Sequence, residues 1–258
     1  QDFCSAEVPE GWVLNSEDED DDCFSNIIDE CGVCDGDDSS CSGCVDEEAF
    51  NFDCHAGEMP PCNNDITIDE KGRIYFSDPR YIGHEPINQP VMGVYRIDLD
   101  GSIYRIITDA GKPNGVAVSP NQKTLYVICH NDGTTNASQL PEETSVHKGR
   151  MALLAYDLSE DGTATFRKVL VDYAPQDGPD GLVLDTEGNL YVAVRDVTRP
   201  GICVYTPEGV EQAYIPTPNL PTNVAFGRGE DSKTLYITEG KSLHRIKVKK
   251  SGYHLPVE

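Results

Sequence analysis

The chain has 258 residues, a formal net charge of -25 and ten cysteines. That length suffices for one large or two small domains with a real core. The acidic balance lacks the basic footprint of a nucleic-acid binder. No apolar run approaches the roughly 20 residues a membrane-spanning helix needs, so a soluble chain without a membrane span is expected. The sequence opens on Gln1, with no initiator Met and no signal peptide, as a mature form or a fragment would.

The charge is uneven. Residues 1–62 hold no Lys or Arg and about -19 of the net charge, leaving about -6 for the rest. The run Ser16 to Asp22, SEDEDDD, reads as a solvated stretch or as an oxygen-rich calcium site. Cys4, Cys23, Cys31, Cys34, Cys41, Cys44, Cys54 and Cys62 fall in the same region. An even number of Cys in a short acidic segment predicts disulfides and an oxidising compartment, hence a secreted or periplasmic chain. Cys31, Cys34, Cys41 and Cys44 also have a spacing that could hold zinc. With few aliphatic residues, the segment is expected to be irregular, held by disulfides and calcium rather than by a core. Trp12 and Val13 read as a packing point within it, and Asn136-Ala137-Ser138 is a glycosylation sequon.

From Asn64 onward a phrase recurs four times: a turn, an Asn or Asp, an apolar strand, a second turn and a second strand. The copies are NNDITIDEKGRIYFSD from Asn63, PNGVAVSPNQKTLYV from Pro113, PDGLVLDTEGNLYVAV from Pro179 and PTNVAFGRGEDSKTLYIT from Pro221. The first copy continues through Val94 to Ile97 and Ile103 to Ile106, giving four short strands joined by Asp- and Gly-bearing turns. The second continues through Met151 to Leu158 and Thr165 to Val171, the third through Ile202 to Tyr205 and Val210 to Ile215. The fourth has only Leu243 to Val248 after its pair. Cys129 and Cys203 lie in apolar strands and are expected as buried thiols.

Repeated four-stranded meanders predict an all-β chain built as a β-propeller, with about four blades present and an irregular disulfide-rich segment before them. The domains divide as 1–62 and 63–258. The residue ahead of each innermost strand lies at one mouth of the central channel. Asn64, Asn114, Asp180 and Asn223 are therefore expected to share a ring whose oxygens suit a hard cation. Turn chemistry alone also favours Asn and Asp there.

Two resemblances follow from these residues. DECGVCDGDDSSCSGCVDEEAFNFD, from Asp29 to Asp53, resembles Cys-rich acidic modules of large secreted proteins of marine bacteria, with Phe50 where those modules carry Cys. That resemblance implies an adhesive or spacer role. KPNGVAVSPNQKTLYV, DGPDGLVLDTEGNLYVAV, LPTNVAFGRGEDSKTLYIT and NDITIDEKGRIYFSDPRY resemble the gluconolactonase, senescence-marker-protein and luciferin-regenerating-enzyme family of six-bladed propellers.

This second resemblance implies metal-dependent hydrolysis of a sugar-acid lactone. It implies one divalent cation, Ca2+ first and Zn2+ or Mn2+ as alternatives. By position, Asn114 and Asp180 are implied metal ligands. Asn64 is implied at the metal-bound water or substrate, and so also at the metal. Asp180 is the implied general base. His84 and Glu85 fall where the family places substrate contacts, with an exposed loop pair as the other reading. His130 and Arg195 are further candidates at the mouth.

The sequence departs from the family in three ways. Its first-blade Glu ligand has no counterpart, and Glu10-Gly11-Trp12 matches that phrase only superficially. Cys62 stands where the family has Arg. Four blades are present where six are expected. These departures keep open a non-catalytic extracellular calcium-binding module, an incomplete propeller without activity, and an additional chain that completes the ring.

Overall fold

The computed structural model describes residues 65–79, 92–131 and 149–255, all within the unit Pro61–Glu258. The Cys-rich segment and its cysteines, Asn64, His84, Glu85 and Asn136 lie outside the described residues.

Among the described residues fifteen strands form four antiparallel sheets, each a meander in chain order. The first holds β1 (Ile66–Ile68), β2 (Ile74–Asp78), β3 (Gly93–Ile97) and β4 (Ile103–Ile107). The second holds β5 (Pro113–Val118), β6 (Thr124–His130), β7 (Met151–Leu158) and β8 (Ala164–Asp172). The third holds β9 (Pro179–Leu184), β10 (Leu190–Val194), β11 (Gly201–Tyr205) and β12 (Glu211–Pro216). The last has three strands, β13 (Pro221–Phe226), β14 (Thr234–Glu239) and β15 (Ser242–Lys247). The sheets are blades of a β-propeller, with β1, β5, β9 and β13 innermost and packed side by side in that order.

The repeat works because one turn chemistry recurs. Asp69 sits after β1 and turns its carboxylate back on its own loop, accepting the Lys71 and Arg73 N–H groups at 2.9 and 3.0 Å. Its other oxygen takes Tyr75 Oη at 2.9 Å. Asp185 does the same after β9, accepting the Glu187 and Asn189 N–H groups. Gly72 and Gly188 close these turns with φ of +79° and +84°, a region glycine enters without steric cost. In the second blade Ser119 takes over, its Oγ accepting the Thr124 N–H at 2.9 Å.

Alternate residues of each strand face opposite neighbours, so an inner blade must be apolar on both sides. Tyr75, Val94 and Ile107 of the first blade pack with Val116, Val127, Leu154 and Tyr156 of the second. The other face of the second blade, through Tyr126, Ile128, Leu153 and Ala155, meets Leu182, Leu190 and Val192 of the third. Tyr191, Ala193, Ile202 and Val204 then meet Val224, Phe226, Leu235 and Ile237 of the fourth. Cys129 and Cys203 are buried free thiols within these layers.

Among the described residues no fourth strand follows β15. The chain crosses the ends of the inner strands instead. Gly252 N–H donates to Ser232 O, and Tyr253 N–H to Leu184 O at 2.9 Å. Gly252 bridges Asp185 in antiparallel fashion. Tyr253 Oη accepts from Gln122 Nε2 at 2.9 Å, and His254 Nε2 donates to Gly227 O at 2.9 Å. This strap links blades two, three and four at the end of the channel where β5, β9 and β13 finish. A cavity of about 290 Å³ lies between the strap and strands β1, β5 and β9.

Candidate active site at the channel mouth

The other end of the channel, where the inner strands begin, carries the candidate chemistry. β5 and β9 both open with Pro followed by the polar residue, and both pair irregularly with the next strand at that point. The irregularity turns Asn114 and Asp180 toward each other. Asn114 is buried, and its amide hydrogen-bonds the Asp180 carboxylate. Burial raises the Asp180 carboxyl above its ordinary range, while Arg195, His130 and the Asn114 contact pull it back. His130 ends β6 and donates from Nδ1 to Pro179 O at 2.9 Å, which fixes the backbone one residue ahead of Asp180. Arg195 lies just after β10, with Nη1 at 3.4 Å from Asp180 Oδ2.

Asp65 joins this group, and sequence reasoning missed it. Its carboxylate accepts the Ile66 N–H at 3.0 Å and reaches across to the second blade, accepting the Val116 N–H at 3.1 Å. Burial pushes its pKa up to about 7. The two N–H groups oppose that rise, and repulsion from Asp180 adds to it. The available signal was the Asp directly after Asn64, at the step where the second and third copies have Gly115 and Gly181.

Asn223 does not belong to the ring. β13 opens Pro221-Thr222-Asn223, so Thr222 holds the position of Asn114 and Asp180, and Asn223 that of Gly115 and Gly181. Its Oδ1 accepts the Val224 N–H at 2.8 Å. A Cβ added to Gly181 would lie 2.1 Å from Asn223 Oδ1, so the third blade needs glycine where the fourth lays this side chain.

Asp180 and Asn114 offer the oxygen donors a hard divalent cation selects, and the nearby Asp65 carboxyl adds negative charge that such an ion would offset. These side chains fit the ion in donor type. Among the described residues no group of three or more His, Cys, Asp or Glu forms a metal site.

A groove of about 610 Å³ adjoins the mouth, lined by Arg195 and Thr222 and walled by Val197, Pro218, Asn219 and Leu220. Both walls are pinned. Pro200 O accepts Tyr214 Oη at 2.7 Å and the Thr217 N–H at 3.1 Å. The buried Glu239 carboxylate accepts the Asn219 N–H and Nδ2, both at 3.1 Å.

Residues 52–241 match the profile of the SMP-30/Gluconolactonase/LRE-like region. The chain belongs to this family. Family relatives include a gluconolactonase of Zymomonas mobilis, 28% identical over 78% of this chain and 54% of its own length. Another is the lactonohydrolase oryL of Aspergillus oryzae, 29% identical over 69% of this chain and 42% of its own. The solved gluconolactonase of Xanthomonas campestris superposes with a TM-score of 0.55 at 27% identity, covering 77% of this chain and 59% of that one. The chain thus spans about half the length of the curated family members it matches.

Proposed function

We propose that this chain opens the ring ester of a sugar-acid lactone at the channel mouth, with Asp180 as general base and Asn114, Asp180 and Asn64 as the cation's ligands. The observation that carries this reading is the mostly buried Asp180 carboxylate, held between the Asn114 amide and the Arg195 guanidinium. Names of family members support the reaction class, since several are gluconolactonases or lactonases.

A carboxylate raised by burial is a stronger base than one in water, which suits abstraction of a proton from the attacking water. His130 holds the Asp180 backbone through Pro179 O, so the base is presented in one place. Arg195 favours the ionised carboxylate and so opposes the rise that burial causes. A bound divalent cation, Ca2+ in first place, would supply Lewis-acid polarisation of the lactone carbonyl. We also place His84 and Glu85 at the substrate, and the chain in a secreted or periplasmic setting, on the sequence features given above.

The test is acid release from glucono-δ-lactone by the full chain, with and without a chelator, and in Asp180→Asn. Loss of one general base costs about 10²- to 10⁴-fold in kcat. Turnover indifferent to both the chelator and the substitution would sink the reading.

A further inference from the structure

The groove beside Asp180 has a chemistry of its own. Resting on the lactonase reading, we infer that it selects lactones carrying a second, anionic group, a carboxylate outside the ring ester, and that Arg195 is the residue that determines this specificity.

Among the described residues that line the groove, Arg195 is the one charged side chain. A guanidinium carries five N–H donors in a fixed fork. Among the described residues one nitrogen is used, in a single side-chain contact of 3.4 Å to Asp180. That is longer than the roughly 2.7–2.9 Å of a well-made charge-assisted bond. The side chain is 30% exposed, so the remaining donors can be reached from the groove.

Neighbouring carboxylates are committed elsewhere. Asp196 Oδ1 accepts the Thr198 N–H and Oγ1, both at 2.8 Å. Glu211 takes Arg199 with both oxygens. Glu239 takes Asn219, and its Oε1 lies 3.0 Å from His244 Nε2. Among the described residues, the countercharge on the groove's cation is thus the single long contact to Asp180.

The walls sharpen this preference. Val197, Pro218 and Leu220 offer apolar surface beside the guanidinium, so the charge is the feature of the groove that discriminates between ligands. The walls are also built in advance, by Glu239 on one side and Tyr214 and Thr217 on the other. A buried carboxylate that holds one loop residue by both its N–H and its side-chain amide fixes the shape of the groove. Arg195 touches both Asp180 and the groove, so the anion it binds lies one side chain away from the reacting ester. A planar carboxylate matches the guanidinium fork with two parallel bonds.

The experiment separates this inference from the hydrolytic reading. Titrate the calcium-loaded full chain with galactarate, which has two carboxylates, and galactonate, which has one. Repeat with Arg195→Met and Arg195→Lys. The native chain is expected to prefer galactarate by about 10-fold, the worth of one charge-assisted pair. Arg195→Met should bring the two affinities within about 2-fold, and Arg195→Lys should restore part of the gap.

In turnover, the ratio of kcat/KM for glucaro-1,4-lactone over glucono-δ-lactone should fall about 10-fold in Arg195→Met. Leu220→Glu, which puts an anion on the far wall, should erase the preference even if Arg195→Met folds poorly. A phosphorylated aldonolactone preferred over the carboxylate-bearing one would overturn the carboxylate assignment. Equal affinities in the native chain, or equal losses for both ligands in Arg195→Met, would overturn the inference while leaving lactone hydrolysis intact. An Arg195-dependent galactarate preference without turnover of any lactone would retain the inference and remove the hydrolytic reading.

Discussion

The seam between the second and third blades and the two end faces of the stack use the same strand pattern to opposite effect. At the seam, Ile128 and Leu153 meet Leu190 and Val192, and all four are fully buried. On the end face of the first blade the strand register brings Ile66, Ile68, Ile74, Ile97 and Ile103 to one side. Ile66 is 64% exposed there and Ile103 is 43% exposed. The end face of the fourth blade instead collects Ala225, Tyr236, Thr238, Leu243 and Arg245. One end is written like an interior and the other like a surface. Apolar alternation therefore identifies a blade face, and only its neighbours decide how much that face stabilises.

The largest expected effect tests that point directly. Leu153→Ala at the seam should cost about 3–5 kcal/mol, because it removes buried contacts and leaves a cavity. Ile103→Ala on the end face should cost under about 1 kcal/mol. Denaturant unfolding of both variants checks this, and equal losses would break the comparison.

The seam between the first and second blades differs again, because the Asp65 carboxylate crosses it. Its folded pKa of about 7 lies above the ordinary value of 3.8, so the folded state holds this proton more tightly than the unfolded one. The stabilisation is full below about pH 4 and is lost as pH rises toward 7. With divalent cations chelated, the unfolding free energy should fall across that window by up to about 4 kcal/mol. Asp65→Asn should flatten most of the slope, and an unchanged slope would remove Asp65 as its source.

The strap gives the next effect. A Cβ at Gly252 would lie 2.2 Å from the Phe226 side chain. Gly252→Val should therefore cost about 1–3 kcal/mol by overpacking. Limited proteolysis should then cut first within the fourth blade. Cleavage that starts in the second blade would show that the strap does not hold the fourth.

Much of this was legible beforehand, for local reasons. Strand alternation, and turns such as Asp69 to Gly72 and Asp185 to Gly188, need only residues a few positions apart, and all four blades follow from them. Asn114 and Asp180 were legible because Pro precedes both. Asn223 misled because two polar residues, Thr222 and Asn223, stand in a row, and a one-residue slip changes the face. The strap, whose segment Ser251 to Leu255 has no strand period, was invisible. So was the Glu239 clamp, whose partner Asn219 lies 20 residues away on another loop.

Repeated blades that touch only their neighbours tend to unfold piecemeal, as a one-dimensional array does. The hydrogen bond from Gln122 to Tyr253 spans 131 residues and bypasses the third blade altogether. That closure costs chain entropy and slows folding. In return it couples blades two, three and four, so none of the three can fray without the strap coming loose from the others.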